Sequence, residues 1–547
     1  MIAISPIKMT VLRRLVRGRL DVVALSLGVV ISLPAAEPSG ETNDLPHRGG
    51  TMRIWSASDW RSLDPAVAFD AASLLLIKLL FRGLLDYDPQ GNLVPDQAQE
   101  WSVSPDGKTF TFQLRPGMRF SHGREVEAED YVFSLERVLN PKTGSPGQTY
   151  YLGILGAKEF AEGRAVRVAG LRAVNPRTLV IELAQPEFAF RYGLTLCFAS
   201  VLPRELVARY GPDFQYHLAG SGPYRVAEWQ RSVRWRLERN PFYGRADGWA
   251  DAFDVMIGGE PMLAAMMIER GEIDLAIVSM VEAAIFSRDL RRRPFLHRVN
   301  MAATQYFFMN TELKPFDDKR VRQAISHAID RGRLLKLDAG LGTPAYGIVP
   351  PMMPWSNPGL PRYDYDPAKA RALLRQAGYQ DGFGTEIWFI QSRVVDAKAA
   401  QSIQQDLREV GVQAELRPVS LTAFEVKARS RRQVPCGIWG WVQDYPDPST
   451  FLDVLFRGDR ITDTDCNNLA FYRNGAVDGL LAKATRSNQA EERRLLYREV
   501  ERLIMEDAPW VPLCHEQLAV LCHPRVRGDM WHPVWLWRYE NAWLQNQ

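Results

Sequence analysis

The stretch GWVQDYPDPSTFL, Gly440–Leu452, closes an apolar run that begins at Cys436. Cys436–Val442 is short, apolar and bounded by turn-forming residues, so it reads as a buried strand. Neither Pro446 nor Pro448 can donate to a strand ladder, and each restricts the residue before it, so pairing has to stop near Asp444. A carboxylate is left where a sheet ends, and something has to use it. Asp447, three residues further on, reads as part of a solvated turn. Gly437 and Gly440 read as leaving room for close backbone approach, Trp439 as core, and Trp441 as either core or pocket wall.

Outward from this stretch the chain alternates irregularly between strand and helix patterns. GKTFTFQLRPGMRF, Gly107–Phe120, alternates Phe110, Phe112 and Leu114 with polar residues, as a half-buried strand does. NPRTLVIELAQP and GPYRVAEWQRSVRWRLERN read the same way, and Glu127–Asn140 places Val132, Leu135 and Val138 at helical spacing. Later helices carry punctuation: Asp317 as a cap before Val321, Ala324, Ile325 and Ala328; Asp366 at the N-cap with Pro367 behind it and Gly378 past the end; a helix closed by Gly411 and followed by a strand; and Asn488 with Glu491 as a capping pair. Such mixing indicates an α/β protein.

At 547 residues the chain exceeds what one apolar core supports, and two or three domains are expected. Its 46% hydrophobic and 24% charged residues are those of a globular protein. Lys8, Arg13, Arg14, Arg17 and Arg19 precede the apolar segment Val22–Leu33, which ends in Ala35 and Ala36. This is the pattern of a cleaved export signal over residues 1–36, too short to span a bilayer. Without it 62 basic residues face 63 acidic ones, since five of the 67 bases and one of the 64 acids leave with it. No basic stripe remains to argue for nucleic acid.

Five cysteines are too few for a disulfide framework. WVPLCHEQLAVLCH reads as two strands about a short turn, across which Cys514 and Cys522 could pair. The His after each Cys raises a metal site as the weaker alternative. The chain has no G-x-S-x-G elbow, P-loop or G-x-G-x-x-G. His515-Glu516 lacks the second His of a metalloprotease helix, because Ala519 stands there. Asp444 and Asp447 remain as a paired-carboxylate hydrolase candidate.

Several long segments, in order, resemble the large periplasmic solute-binding proteins of ABC importers, the oligopeptide and dipeptide binders. They are Ser62–Pro141, opening SLDPAVAFDA; GSGPYRVAEWQ; MNTELKPFDDKRVRQAISHAID; YDPAKARALLRQAGY; and GWVQDYPDPSTFLDVLF. The resemblance implies a type II, two-lobed α/β fold with an inserted domain and a hinge of two strand crossings. Lobe one would comprise residues 50–81, 205–301 and 518–547, the inserted domain 82–204, and lobe two 302–517. In such relatives the Asp of a G-W-x-x-D-Y-x-x-P pattern captures the α-ammonium of a peptide. Gly440, Trp441, Asp444, Tyr445 and Pro448 match it, which makes Asp444 the expected ammonium ligand, with Val442 and the strand before it pairing to the peptide backbone. The loop after S-L-D-P, near Phe69 to Ala71, would contact the ligand from lobe one. A tyrosine that follows Ser-Pro in some relatives is Gly147 here, with Tyr150 and Tyr151 close behind. An arginine that meets the ligand carboxylate in some relatives is replaced by Ile438, which leaves Arg429 as the first candidate for that role and Arg393 as the second.

The function implied is an exported, monomeric, non-catalytic protein of the periplasm, without cofactor or metal, that delivers oligopeptides to an ABC permease. No lipobox cysteine follows the apolar segment, so free diffusion is expected. A nickel complex or an oligosaccharide as ligand is the alternative within the same fold, and a hydrolase using Asp444 and Asp447 the alternative outside it.

Overall fold

The computed structural model describes residues 45–68, 71–338, 340 and 342–545. The expected export signal and Phe69 lie outside them. Ala71 opens the helix Ala71–Leu80.

Ten strands form the backbone of one large mixed sheet: β1 (Thr51–Ser56), β2 (Tyr224–Gln230), β3 (Arg234–Arg239), β4 (Ala252–Ile257), β5 (Leu275–Val278), β6 (Leu296–Met309), β7 (Phe383–Ile390), β8 (Val412–Val419), β9 (Cys436–Val442) and β10 (Trp510–Cys522). Across the sheet their order is β8-β7-β9-β6-β10-β5-β1-β4-β3-β2, and Thr343–Pro344 adds a short pairing to β10. Two long antiparallel strands, β6 and β10, occupy the middle. On one flank β5, β1 and β4 run parallel, and on the other β8, β7 and β9 do. β6 and β10 pair from Leu296 to Asn300 and again from Thr304 to Phe308, with a register shift between Asn300 and Thr304.

A separate antiparallel sheet orders Ala98–Val103, Thr109–Leu114, Thr178–Glu182 and Leu171–Asn175. Its strand 109–114 buries Phe110, Phe112 and Leu114 and turns the alternate residues outward, as period-two patterning requires. The helix Ala128–Leu139 covers it through Val132, Leu135 and Val138. This segment shares one apolar cluster with Met52, Ile54, Phe253 and Val520 of the large sheet. Two other clusters draw on residues 302–513 alone. Arg82, 2% exposed, donates to Asp86, Asp247 and Glu540, tying the start of residues 82–204 to the C-terminal segment.

Four local readings need correction. Asp318 rather than Asp317 caps the helix Lys319–Ala328, its carboxylate accepting from the Arg320 N–H at 2.8 Å. Gln489 rather than Asn488 occupies the N-cap of the helix Ala490–Asp507, and its side chain makes no cap bond. WVPLCHEQLAVLC is one continuous strand, β10, so Cys514 and Cys522 stand about 26 Å apart along it at roughly 3.3 Å per residue. They cannot pair, and all five cysteines are buried free thiols. The fourth concerns Gly437. A Cβ there would stand 2.7 Å from the Trp388 carbonyl oxygen, so its space belongs to the protein's own chain.

Candidate functional site

β9 runs from Cys436 to Val442 and stops where the prolines begin. Its last pair is Val442 with Ala303, after which the Gln443 N–H donates to the Ala302 carbonyl at 2.8 Å. Asp444 therefore leaves the sheet at the carboxyl end of β9, beside the register shift of β6. In α/β sheets this carboxyl edge is where ligands bind.

Thr450, in the first turn of the helix Ser449–Phe456, fixes the Asp444 side chain. Its hydroxyl accepts from the Asp444 N–H and donates to Oδ2, both at 3.0 Å. Burial pushes the Asp444 carboxyl up to about 6, against the Thr450 and Tyr150 hydroxyls, which favour the carboxylate. No cation among the described residues figures in its surroundings. This is the arrangement of a receptor for a positive charge that is brought from outside: a half-buried carboxylate held by a hydroxyl donor and, among the described residues, given no counterion.

Aromatic residues of the 82–204 segment wall this carboxylate. Tyr150 belongs to them, its phenol held firmly protonated by burial and then by Asp444. Tyr192 stacks on Tyr445 with ring centroids 5.9 Å apart and planes 11° apart. Tyr150 in turn stacks on Phe198 at 6.2 Å. Phe198 explains the glycine at 147, because a Cβ there would fall 2.3 Å from its ring. The side-chain space at 147 is filled by Phe198, and Tyr150 supplies the phenol.

Asp447 is fully buried rather than a solvated turn residue. Arg493 Nη2 reaches both of its oxygens, at 2.9 and 2.8 Å, in an ion pair with no exposure on either side. Asp447 Oδ1 also accepts from the Ser449 N–H at 3.0 Å. Phe188 covers the guanidinium at 4.3 Å. Asp447 is thereby committed to holding the turn and the helix behind Asp444.

The remaining sequence candidates fall as follows. Trp441 is partly buried against the apolar cluster, with its Nε1 sealed from solvent and unpartnered. Trp439 stacks on Phe424 at 5.1 Å, and Arg393 sits over it at 5.3 Å. Val442 is 46% exposed. A Cβ on Gly440 would meet the Thr304 carbonyl oxygen at 3.8 Å, ordinary van der Waals contact, so a side chain could start here without a clash.

Arg429 follows the helix Leu421–Ala428, which crosses between the parallel strands β8 and β9. Such a crossover helix runs back against the strands. It carries Arg429 towards the amino end of β9, away from Asp444, where Asp465 pairs with it at 3.2 Å. Arg393 is placed oppositely. It is the N-cap of the helix Val394–Glu409, directly after the carboxyl end of β7, on the same sheet edge as Asp444.

A mixed sheet with two long central strands, an added antiparallel sheet and a half-buried carboxylate on the carboxyl edge define a class: the two-lobed, type II periplasmic-binding fold. Within that class the chain belongs to the bacterial extracellular solute-binding proteins of family 5. The model described as "Bacterial extracellular solute-binding proteins, family 5 Middle" matches residues 92–463. The glutathione-binding protein GsiB of Salmonella typhimurium is 30% identical over 486 residues, 87% of this chain and 90% of that protein. Among solved structures, clavulanic acid biosynthesis oligopeptide binding protein 2 superposes with a TM-score of 0.85 at 25% identity, over 92% of this chain and 96% of that one. The periplasmic binding protein DppA from Helicobacter pylori, in complex with the peptide STSA, superposes with a TM-score of 0.76 at 26% identity, over 92% and 99%.

Proposed function

We propose that this protein is exported to the periplasm, where it works as a monomer without catalysis, closing its lobes on a peptide with a free amino terminus and delivering it to an ABC permease. Asp444 carries this reading, as a half-buried carboxylate that accepts from the Thr450 hydroxyl and has no counterion among the described residues. The peptide backbone extends along the open side of β9 at Gly440, Val442 and Tyr445 line its path, and the loop at Phe69 to Ala71 meets it from lobe one. Its carboxylate meets Arg393, in place of Arg429. Lobe one takes residues 50–81, 205–301 and 518–547, lobe two residues 302–517, and the inserted domain residues 82–204, with β6 and β10 as the hinge.

The relatives' printed names, which concern oligopeptides and glutathione, support a peptide-like ligand. The hydrolase alternative loses its second carboxylate to Arg493, since a glycosidase needs both free to act. A thermal-shift screen against peptides, sugars and nickel tests the ligand class. Calorimetry on Asp444→Ala tests the contact: affinity for free-amino peptides is expected to fall by roughly 10- to 150-fold, the worth of a charge-assisted bond, while acetylated peptides lose nothing. Equal losses for both kinds of peptide would remove the ammonium role.

A further inference from the structure

The same sheet edge holds a second group of charges that Asp444 does not engage. Asp396, in the first turn of the helix Val394–Glu409, is 3% exposed. Its Oδ1 accepts from Gln305 Nε2 at 3.1 Å, whereas Oδ2 is sealed from solvent and accepts no hydrogen bond. Arg393 Nη1 stands off from that oxygen at 4.0 Å. Glu516, on β10 where the strand crosses between the lobes, adds a second carboxylate whose field acts on Asp396. Asp338, at the end of the helix Arg331–Leu337, adds a third, which also feels Glu516.

Burial holds the Asp396 and Asp338 carboxyls up at about 6 and lifts Glu516 above the usual carboxylate range. Arg393 offsets part of this for Asp396 and Glu516, and Lys398 part of it for Asp338, while Lys398 Nζ itself donates to the Met280 thioether sulfur at 3.4 Å. Met280 opens the helix that follows β5, so both halves of the sheet border this region. Of the three carboxylates, Asp338 lines a cavity of about 20 Å³, together with Gln305, Lys398, Met280, Val395 and Leu334. It has room for about one water.

A buried carboxylate oxygen without a donor is costly, and at a cleft edge a ligand donor is one way to satisfy it. We propose that this hinge-side end of the cleft binds the ammonium or guanidinium of a ligand side chain between Asp396 and Glu516. The preferred cargo is then a peptide with a lysine- or arginine-like residue at its carboxy end, whose own carboxylate meets Arg393. The inference rests on the peptide reading above and narrows it to basic peptides.

Calorimetry of the full chain with two matched pairs, Ala-Lys against Ala-norleucine and Ala-Ala-Lys against Ala-Ala-norleucine, tests it. The lysine member is expected to bind about tenfold or more tightly, the worth of one charge-assisted bond. In Asp396→Asn the two members are expected to come within about twofold of each other, because the bond to charge is gone. Equal affinity in the wild-type protein, or a preference for norleucine, overturns the inference and leaves peptide capture standing. Binding of neither member in either pair overturns peptide capture and this inference with it. The wild-type comparison decides even if the variant does not fold.

Discussion

Asp444 holds its charge against its surroundings. With burial pushing the carboxyl to about 6, the carboxylate and its proton compete within the range a periplasm visits. Because the folded value lies above the ordinary one of about 3.9, this group favours the folded state when protonated, and that contribution is lost as pH rises through 6. Ligand binding has the opposite sign, since an ammonium pairs only with the carboxylate. Affinity for free-amino peptides is therefore expected to fall about tenfold for each pH unit below 6, and to stay level from about 6.5 until the peptide amine itself deprotonates near 8. Calorimetry from pH 5 to 7.5 checks this, and a flat profile counts against Asp444 as the contact. The sequence exposed this residue because two prolines end the strand in front of it. It did not expose Asp396 or Glu516, whose significance depends on what fails to reach them in space. One signal was available: Asp396 lies just behind a strand, in the first turn of a crossover helix, where carboxyl-edge sites form.

Among the elements, β9 shows how two glycines in one strand can differ. Gly437 packs under the Trp388 carbonyl and the Phe308 ring, whereas a Cβ on Gly440 would make only ordinary contact with the β6 backbone. Gly437→Ala is expected to destabilise by about 1–3 kcal/mol through overpacking, read as a lower melting temperature. Gly440→Leu is expected to leave that temperature nearly unchanged and to weaken peptide binding, because its side chain enters the path of the peptide backbone. Similar melting losses in both would place Gly440 against protein instead. Much of this scale was legible in the sequence. The strand limits Cys436–Val442, the Asp366–Pro367 helix start and the Gly411 stop stand as patterning and caps indicated. The misreadings have physical causes. Glu516, Gln517 and Leu518 look like a turn because they are polar or only partly buried, yet they lie within the continuous strand β10. Asn488 looks like a cap, but its side chain lies over Gly107 of the antiparallel domain. Arg429 follows a crossover helix and pairs with Asp465, an arrangement that the residues around it do not signal. Asp447 was misread because its partner, Arg493, lies 46 residues away.

At the scale of the molecule, contacts bridge the parts that the fold brings together: Tyr192 on Tyr445, Phe188 on Arg493, Lys398 on Met280, and Gln443 Nε2 donating to the Pro533 carbonyl at 3.3 Å. Closure is governed by whatever ligand touches both sides, because a ligand equally bound in open and closed forms shifts nothing. The five cysteines carry a consequence of their own. Every thiol is enclosed, and burial pushes Cys197, Cys436 and Cys522 up to about 12, so neither access nor thiolate is offered to an oxidant. A maleimide dye should thus leave the native chain unlabelled and mark all five sites once it opens. Because cargo stabilises only the folded form, the labelling rate becomes a gauge of occupancy that needs no knowledge of what the cargo is, and ready labelling of the native chain would show that this seal leaks.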